Sequence, residues 1–278
     1  MINPFRKLLR LSRIPVPPPL QAAPGALAPA MDLRLSGIPV PPPQLIDGVG
    51  EGDFHAIGNE FFGYFTDLCG LGQGDYVLDV GCGCGRMAKP LTAYLNNRAK
   101  YEGFDITEPA IRWCQENIST RYPNFRFRLA DLFNTGYNPQ GTLLPQEFRF
   151  PYEDESFDFV FLTSVFTHML RADVEHYVGE IVRVMKPKAR CLLTFFLLTD
   201  DSRLLIEQGR STLTFPYIIK DTAVQYENVP EGAVAFPERD VRDLLTNRGL
   251  IIDEPIRFGS WCGRESYVSY QDIVLAHR

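Results

Sequence analysis

Tyr76-Val77-Leu78-Asp79-Val80-Gly81-Cys82-Gly83-Cys84-Gly85-Arg86 decides the fold of this 278-residue chain. A short apolar run ends in an aspartate, and three alternating glycines follow at once. The next segment, Met87 to Leu95, has helical character. A strand therefore feeds a tight turn that opens a helix. Glycine suits such a turn because it adopts positive φ freely and leaves the backbone bare for a ligand. This arrangement builds the floor of a nucleotide-type pocket in a doubly wound α/β domain.

The spacing narrows the ligand. A dinucleotide fingerprint reads G-x-G-x-x-G, whereas this turn reads G-x-G-x-G, and no Gly-Lys-Ser/Thr closes it as a P-loop would. A fixed carboxylate at Asp79 repels a pyrophosphate. It suits a cofactor carrying positive charge, such as an amino acid ammonium or a sulfonium. The segment resembles motif I of the class I S-adenosylmethionine-dependent methyltransferases. That resemblance implies that Asp79, Gly81, Cys82, Gly83 and Gly85 line the methionine half of S-adenosyl-L-methionine.

Outward from the turn, β and α patterns alternate, which predicts a mostly parallel sheet. Expected strands are Tyr76–Val80, Tyr101–Ile106, Phe125–Leu129, Phe157–Leu162 and Cys191–Leu198. Expected helices run over 58–71, from about Arg86 (with Pro90 as a kink), over Pro109–Thr120 and over Arg171–Met185, where Pro187 stops the last. The continuous apolar run Phe157–Leu162 fits a strand covered on both faces. A helix at 238–247, a strand at 251–256 and a last strand at 272–276 predict a closing antiparallel hairpin. The expected fold is a Rossmann-like, seven-stranded sheet with helices on both faces.

Ligands of such sheets bind at the carboxyl ends of the strands. Asp105, with Ile106 beside it, follows the second strand roughly 20 residues past the glycine turn, where a carboxylate accepts ribose hydroxyls. Thr107 is the better cap for the next helix. After the third strand come Asp131 and Leu132. The resemblance assigns an acidic residue here to the adenine amine and the following backbone amide to the ring. After the fourth strand come Ser164, expected at the cofactor, and His168, placed to take a proton from a hydroxyl acceptor. His176 is expected to face solvent. No ligand-grade spacing for a metal exists, so none is expected.

Composition excludes little but orders the alternatives. The formal net charge is −6, which does not favour a nucleic-acid backbone as partner. Six cysteines follow no disulfide pattern, and no apolar run reaches membrane-spanning length. The expectation is a cytoplasmic enzyme without stable membrane insertion, acting on a small-molecule acceptor. The likeness to bacterial small-molecule methyltransferases implies methyl transfer to an oxygen of a sugar or secondary metabolite. A nicotinamide-dependent oxidoreductase is the second reading, opposed by the glycine spacing and by the lack of a Tyr-x-x-x-Lys signature. A non-catalytic cofactor-binding scaffold is the third. Oligomeric state is not readable.

Residues 1–43 differ from the expected catalytic domain at 44–278. Ile14-Pro15-Val16-Pro17-Pro18-Pro19 returns as Ile38-Pro39-Val40-Pro41-Pro42-Pro43, each copy preceded by Arg-Leu-Ser. Proline at this density enforces polyproline II. The segment reads as a stiff, poorly ordered extension with its second copy clamped on the domain edge, or as a docking peptide. Two aperiodic inserts, 134–155 and 199–236, read as a lid or binding loop and as the wall of an acceptor pocket. The glycine- and aromatic-rich loop 259–267 either folds over the site or packs as a surface hairpin.

Overall fold

The computed structural model describes residues 37–50 and 52–278. In chain order the elements are α1 (Phe54–Gly63), β1 (Tyr76–Val80), α2 (Ala88–Tyr94), β2 (Lys100–Asp105), α3 (Glu108–Cys114), β3 (Phe125–Leu129), β4 (Phe157–Leu162), α4 (Arg171–Val184), β5 (Met185–Phe195), β6 (Leu197–Leu198), α5 (Asp200–Glu207), β7 (Tyr217–Ile219), β8 (Thr222–Val224), β9 (Val234–Pro237), α6 (Glu238–Asn247), β10 (Ile251–Ile252) and β11 (Asp272–His277). A short helix, Pro43–Ile46, precedes them.

Seven strands form one sheet in the order β10-β11-β5-β4-β1-β2-β3. β1 to β5 pair in parallel, and β11 runs antiparallel to both β5 and β10. The chain starts at the centre, winds outward to β3, returns to β4 and winds the other way. The switch point therefore falls between β1 and β4, at the glycine turn. The expected doubly wound sheet with its antiparallel hairpin is what forms.

Alternation along the strands builds two cores. Leu78, Val80, Val160, Leu162, Leu193 and Val274 face one layer, together with Val178 and Ile181 of α4. Val77, Phe159, Phe161, Leu192 and Ile273 face the other, together with Phe61 and Phe62 of α1 and Leu91 of α2. Both faces of β4 are buried, as its unbroken apolar run requires.

Local differences from expectation have local causes. α1 begins four residues before position 58, because Asp53 caps it by accepting from the Ala56 amide at 2.6 Å. α2 begins at Ala88 rather than Arg86, which puts Pro90 third in the helix. Its missing N–H there costs no intrahelical bond, so no kink is required. Pro187 sits inside β5, in an irregularity between Met185 and Arg190, and Lys188 adopts φ +67°. The strand expected at 251–256 pairs only over Ile251–Ile252.

The two inserts are ordered parts of the fold. The second half of 134–155 is not a free lid. Phe150 is fully buried, and its ring packs against Phe104 of β2 and Tyr177 of α4. Residues 199–236 contribute α5 and most of a second, four-stranded sheet in the order β6-β9-β8-β7. Asp272 of β11 joins the two sheets. Its carboxylate accepts from Leu197 N at 2.7 Å, Gly259 N at 2.6 Å and Trp261 Nε1 at 2.7 Å. The loop 259–267 is thereby pinned, with Trp261 wholly buried against Phe196 and Phe215. Among the described residues, no helix is long and apolar enough to cross a membrane.

Candidate functional site

The glycine turn lies directly after β1, and Gly81, Gly83 and Gly85 have φ of +79°, +50° and +79°. Space demands glycine as well. A Cβ on Gly81 would lie 2.4 Å from Val165 Cγ2, and one on Gly83 would lie 2.4 Å from Val49 Cγ1. Neighbouring side chains, rather than open cleft alone, thus approach the bare backbone. Cys82 turns its side chain into the core beneath the turn, beside Gly103. Cys84 is also fully buried, and its Sγ meets the Leu45 carbonyl at 3.5 Å.

Asp79 is 1% exposed. Tyr101 donates a short hydrogen bond to Asp79 Oδ2, while Oδ1 is buried without a partner. Burial pushes its carboxyl up to about 8, against the stabilising hydrogen bond from Tyr101. Two further buried polar atoms lack partners. One is Arg86 Nε. The other is Asn59 Oδ1 on α1, whose Gly58 packs on the Arg86 carbonyl. Arg86 Nη2 donates to the Val49 carbonyl at 2.6 Å and so holds the segment 47–49 over the turn.

Asp105 reaches back to the turn. Its Oδ2 accepts from Gly83 N at 2.9 Å, and its Oδ1 accepts from Thr107 N at 2.8 Å. The side chain of Asp105, not that of Thr107, therefore meets the start of α3, since Thr107 makes no side-chain cap. Each carboxylate oxygen keeps a second lone pair. Ile106, half-buried, packs beside this corner.

Asp131 and Leu132 stand at the end of β3 in a different condition. Asp131 is exposed, and its Oδ2 accepts from Thr142 Oγ1 at 2.5 Å. The Leu132 amide donates to the Ala130 carbonyl at 3.0 Å, and its side chain is buried. Both residues are engaged by the insert or by their own turn.

Ser164 is held at φ +59° after β4, a strained conformation for a residue with a side chain. Its amide donates to Thr194 Oγ1 at 2.8 Å, and its hydroxyl donates to Gln271 Oε1 at 3.2 Å. Four residues on, His168 Nδ1 lies 2.9 Å from the Glu231 carbonyl. A carbonyl only accepts, so Nδ1 carries the proton and Nε2 keeps its lone pair. Burial lowers the tendency of this imidazole to protonate. Tyr137 of the first insert packs edge-on to the ring at 5.7 Å. Thr135 Oγ1 donates to Glu231 Oε2 at 2.8 Å, so both inserts meet at His168. His176 is half-buried rather than solvent-facing, and its Nε2 lies 2.9 Å from the Phe148 carbonyl.

The structure thus gathers Asp79, the glycines and Asp105 into one corner and sets Ser164 and His168 beyond the neighbouring strand. Glu231 and Thr135 were not legible as site residues, whereas Tyr137 belongs to the segment read as a lid or binding loop. Their segments lack periodicity, and contact with His168 arises across 63 residues in the case of Glu231.

A family model described as a methyltransferase domain matches residues 77–188. Residues 77–188 thus carry a methyltransferase domain, and the fold is that of the class I S-adenosylmethionine-dependent methyltransferases. The match begins in β1, ahead of the glycine turn, and ends in β5. Among solved structures, the PH0226 protein from Pyrococcus horikoshii OT3 is 18% identical with a TM-score of 0.57, covering 83% of this chain and 92% of its own. A magnesium protoporphyrin IX methyltransferase from Synechocystis PCC 6803, solved with bound S-adenosylhomocysteine, is 19% identical with a TM-score of 0.50, covering 84% and 93%. These likenesses speak for the fold. Among curated proteins, the tRNA N(3)-cytidine methyltransferase METTL2 of Gallus gallus is 24% identical over 187 residues. That stretch covers 67% of this chain but only 45% of the relative.

Proposed function

We propose that this methyltransferase transfers a methyl group to an oxygen of a small-molecule acceptor, a sugar or secondary metabolite, with His168 as general base. The observation that carries the reading is the fixed tautomer of His168. Its Nδ1–H is bound to a backbone carbonyl, which leaves Nε2 as the basic atom, and burial keeps the ring neutral. A neutral imidazole with one free lone pair is what a hydroxyl acceptor needs as its carbon–oxygen bond forms.

S-adenosyl-L-methionine, when bound, supplies an electrophilic methyl group on a sulfonium. The residues present fit it. Asp79 Oδ1, buried and unpartnered, would accept from the ammonium as the carboxyl gives up its proton, and Arg86 Nε would meet the carboxylate of the methionine part. Asp105, fixed by two backbone amides, offers its remaining lone pairs to the ribose. Asp131, Leu132 and Ile106 would bound the adenine side, and Ser164 the side toward the acceptor. Orientation and exclusion of water fall to the inserts, which close around His168.

The test is turnover of the His168→Ala variant with labelled cofactor and a panel of hydroxylated metabolites. A drop of about 10²-fold or more supports a base, whereas wild-type turnover rejects it. A tRNA acceptor is the second reading, favoured by the likeness to the Gallus gallus relative and opposed by the net charge of −6. Label entering bulk tRNA and no small molecule would establish it.

A further inference from the structure

The second proline-rich copy is seated in the fold. Ile38 is 5% exposed and joins the apolar cluster that contains Phe61, Phe62 and Leu71. Pro41 is also buried, while Pro39, Val40 and Pro42 are exposed. Pro42 has φ −54° and ψ 145°, the polyproline II region. A polyproline II helix repeats every three residues, so Ile38 and Pro41 lie on one edge, and that edge is the buried one.

The segment after this clamp covers the glycine turn. Leu45 and Ile46 donate their amides to the Pro42 carbonyl at 2.9 and 3.2 Å. Leu45 and Val49 give their carbonyls to Cys84 and Arg86, and Val49 stands over Gly83. Seating of Ile38 and Pro41 therefore fixes the strap 43–49 on the face where the cofactor is placed under the proposed function.

The first copy, which lies outside the described residues, matches this clamp closely. Arg10-Leu11-Ser12-Arg13-Ile14-Pro15-Val16-Pro17-Pro18-Pro19 differs from residues 34–43 only in having Arg13 where the second copy has Gly37. Ile14 and Pro17 correspond to the two buried anchors. We propose that residues 14–19 of the same chain compete with residues 38–43 for this groove, so that the strap exchanges between a seated and a released state. With the first copy seated, residues 43–49 are freed from the glycine turn and its face opens.

Two features bias the exchange toward the observed state. Gly37 has φ +65°, which Arg13 would adopt only with strain. Seating the first copy also lengthens the tether to α1 by 24 residues and forfeits the strap's contacts. A second chain offering its own first copy is the competing arrangement, and length and identity do not require it.

The test compares full-length Ile14→Asp, Ile38→Asp and the double variant by thermal unfolding and amide hydrogen exchange, without ligand. That choice keeps the result independent of the cofactor assignment. Ile14→Asp alone should leave the unfolding midpoint unchanged. Ile38→Asp should speed exchange at Leu45 and Ile46 yet keep its midpoint about 4 °C or more above that of the double variant, because the first copy fills the groove. Equal midpoints for Ile38→Asp and the double variant would overturn the proposal. A midpoint for Ile38→Asp that rises with protein concentration would overturn its intramolecular form. If aspartate prevents folding, the same cycle with Ile14→Ala and Ile38→Ala reads the same non-additivity.

Discussion

The corner around the glycine turn and the wall around His168 are built on different principles. In the corner, the determining contacts join neighbouring strands. Asp105 binds Gly83 across 22 residues, and Tyr101 binds Asp79 across 22. In the wall, they join remote loops. Thr135 binds Glu231 across 96 residues, and Glu231 binds His168 across 63. The corner is set once the parallel sheet forms. The wall exists only when two inserts dock on one another. Under the proposed function, the corner would serve the cofactor and the wall the acceptor.

The largest expected effect strikes the junction of the two regions. Asp272→Ala leaves the Leu197 and Gly259 amides and the Trp261 indole as buried donors without an acceptor. Loss of about 3 kcal/mol or more of stability follows, measurable by urea unfolding. A loss under about 1 kcal/mol would mean that the sheets hold together without it. Next, His168→Ala should reduce kcat by about 10²-fold or more while leaving affinity for S-adenosylhomocysteine intact. A parallel loss of affinity would merge the two regions that the geometry keeps apart.

Asp105→Ala is the reciprocal experiment on the corner. Calorimetry should show S-adenosylhomocysteine binding weakened by about 1–3 kcal/mol, the worth of hydrogen bonds to a charged group. Unchanged affinity would remove Asp105 from the ribose site.

Asp79 offers a pH test. Its folded carboxyl is raised by burial from 3.8 to about 8. Between these values the folded protein holds a proton that the unfolded chain has released. The stability from the neutral group is complete below 3.8 and lost as pH rises through about 8. The melting temperature of the ligand-free protein should therefore fall across this window, and Asp79→Asn should flatten the fall. An unaltered profile in that variant would assign the dependence elsewhere. The smallest effect belongs to Thr135→Val. It removes one exposed hydrogen bond to Glu231, and kcat should drop by roughly threefold with no change in cofactor affinity.

The turn, the strands at whose ends Asp105, Asp131, Ser164 and His168 stand, and the order of elements in the seven-stranded sheet were legible in the sequence, whereas the second sheet was not. Each rests on short-range pattern, namely the twofold alternation of strands, the helical period and glycine at positive φ. Where pattern was absent, reading stopped short. Phe150 looked like part of a loop and is core, because Phe104 and Tyr177 come from other elements to cover it. His176 looked solvent-facing and lies against the insert, at the Phe148 carbonyl.

By itself, the sequence determined a doubly wound sheet, a glycine turn at its switch point and a carboxylate near the end of each of the first two strands. These follow from local conformational preference and from the rule that ligands gather at strand ends. The tertiary structure alone decided which nitrogen of His168 carries the proton, which loops enclose it and that Ile38 is an anchor. Those outcomes depend on contacts between segments far apart in the chain, and no local periodicity encodes which remote partner will arrive.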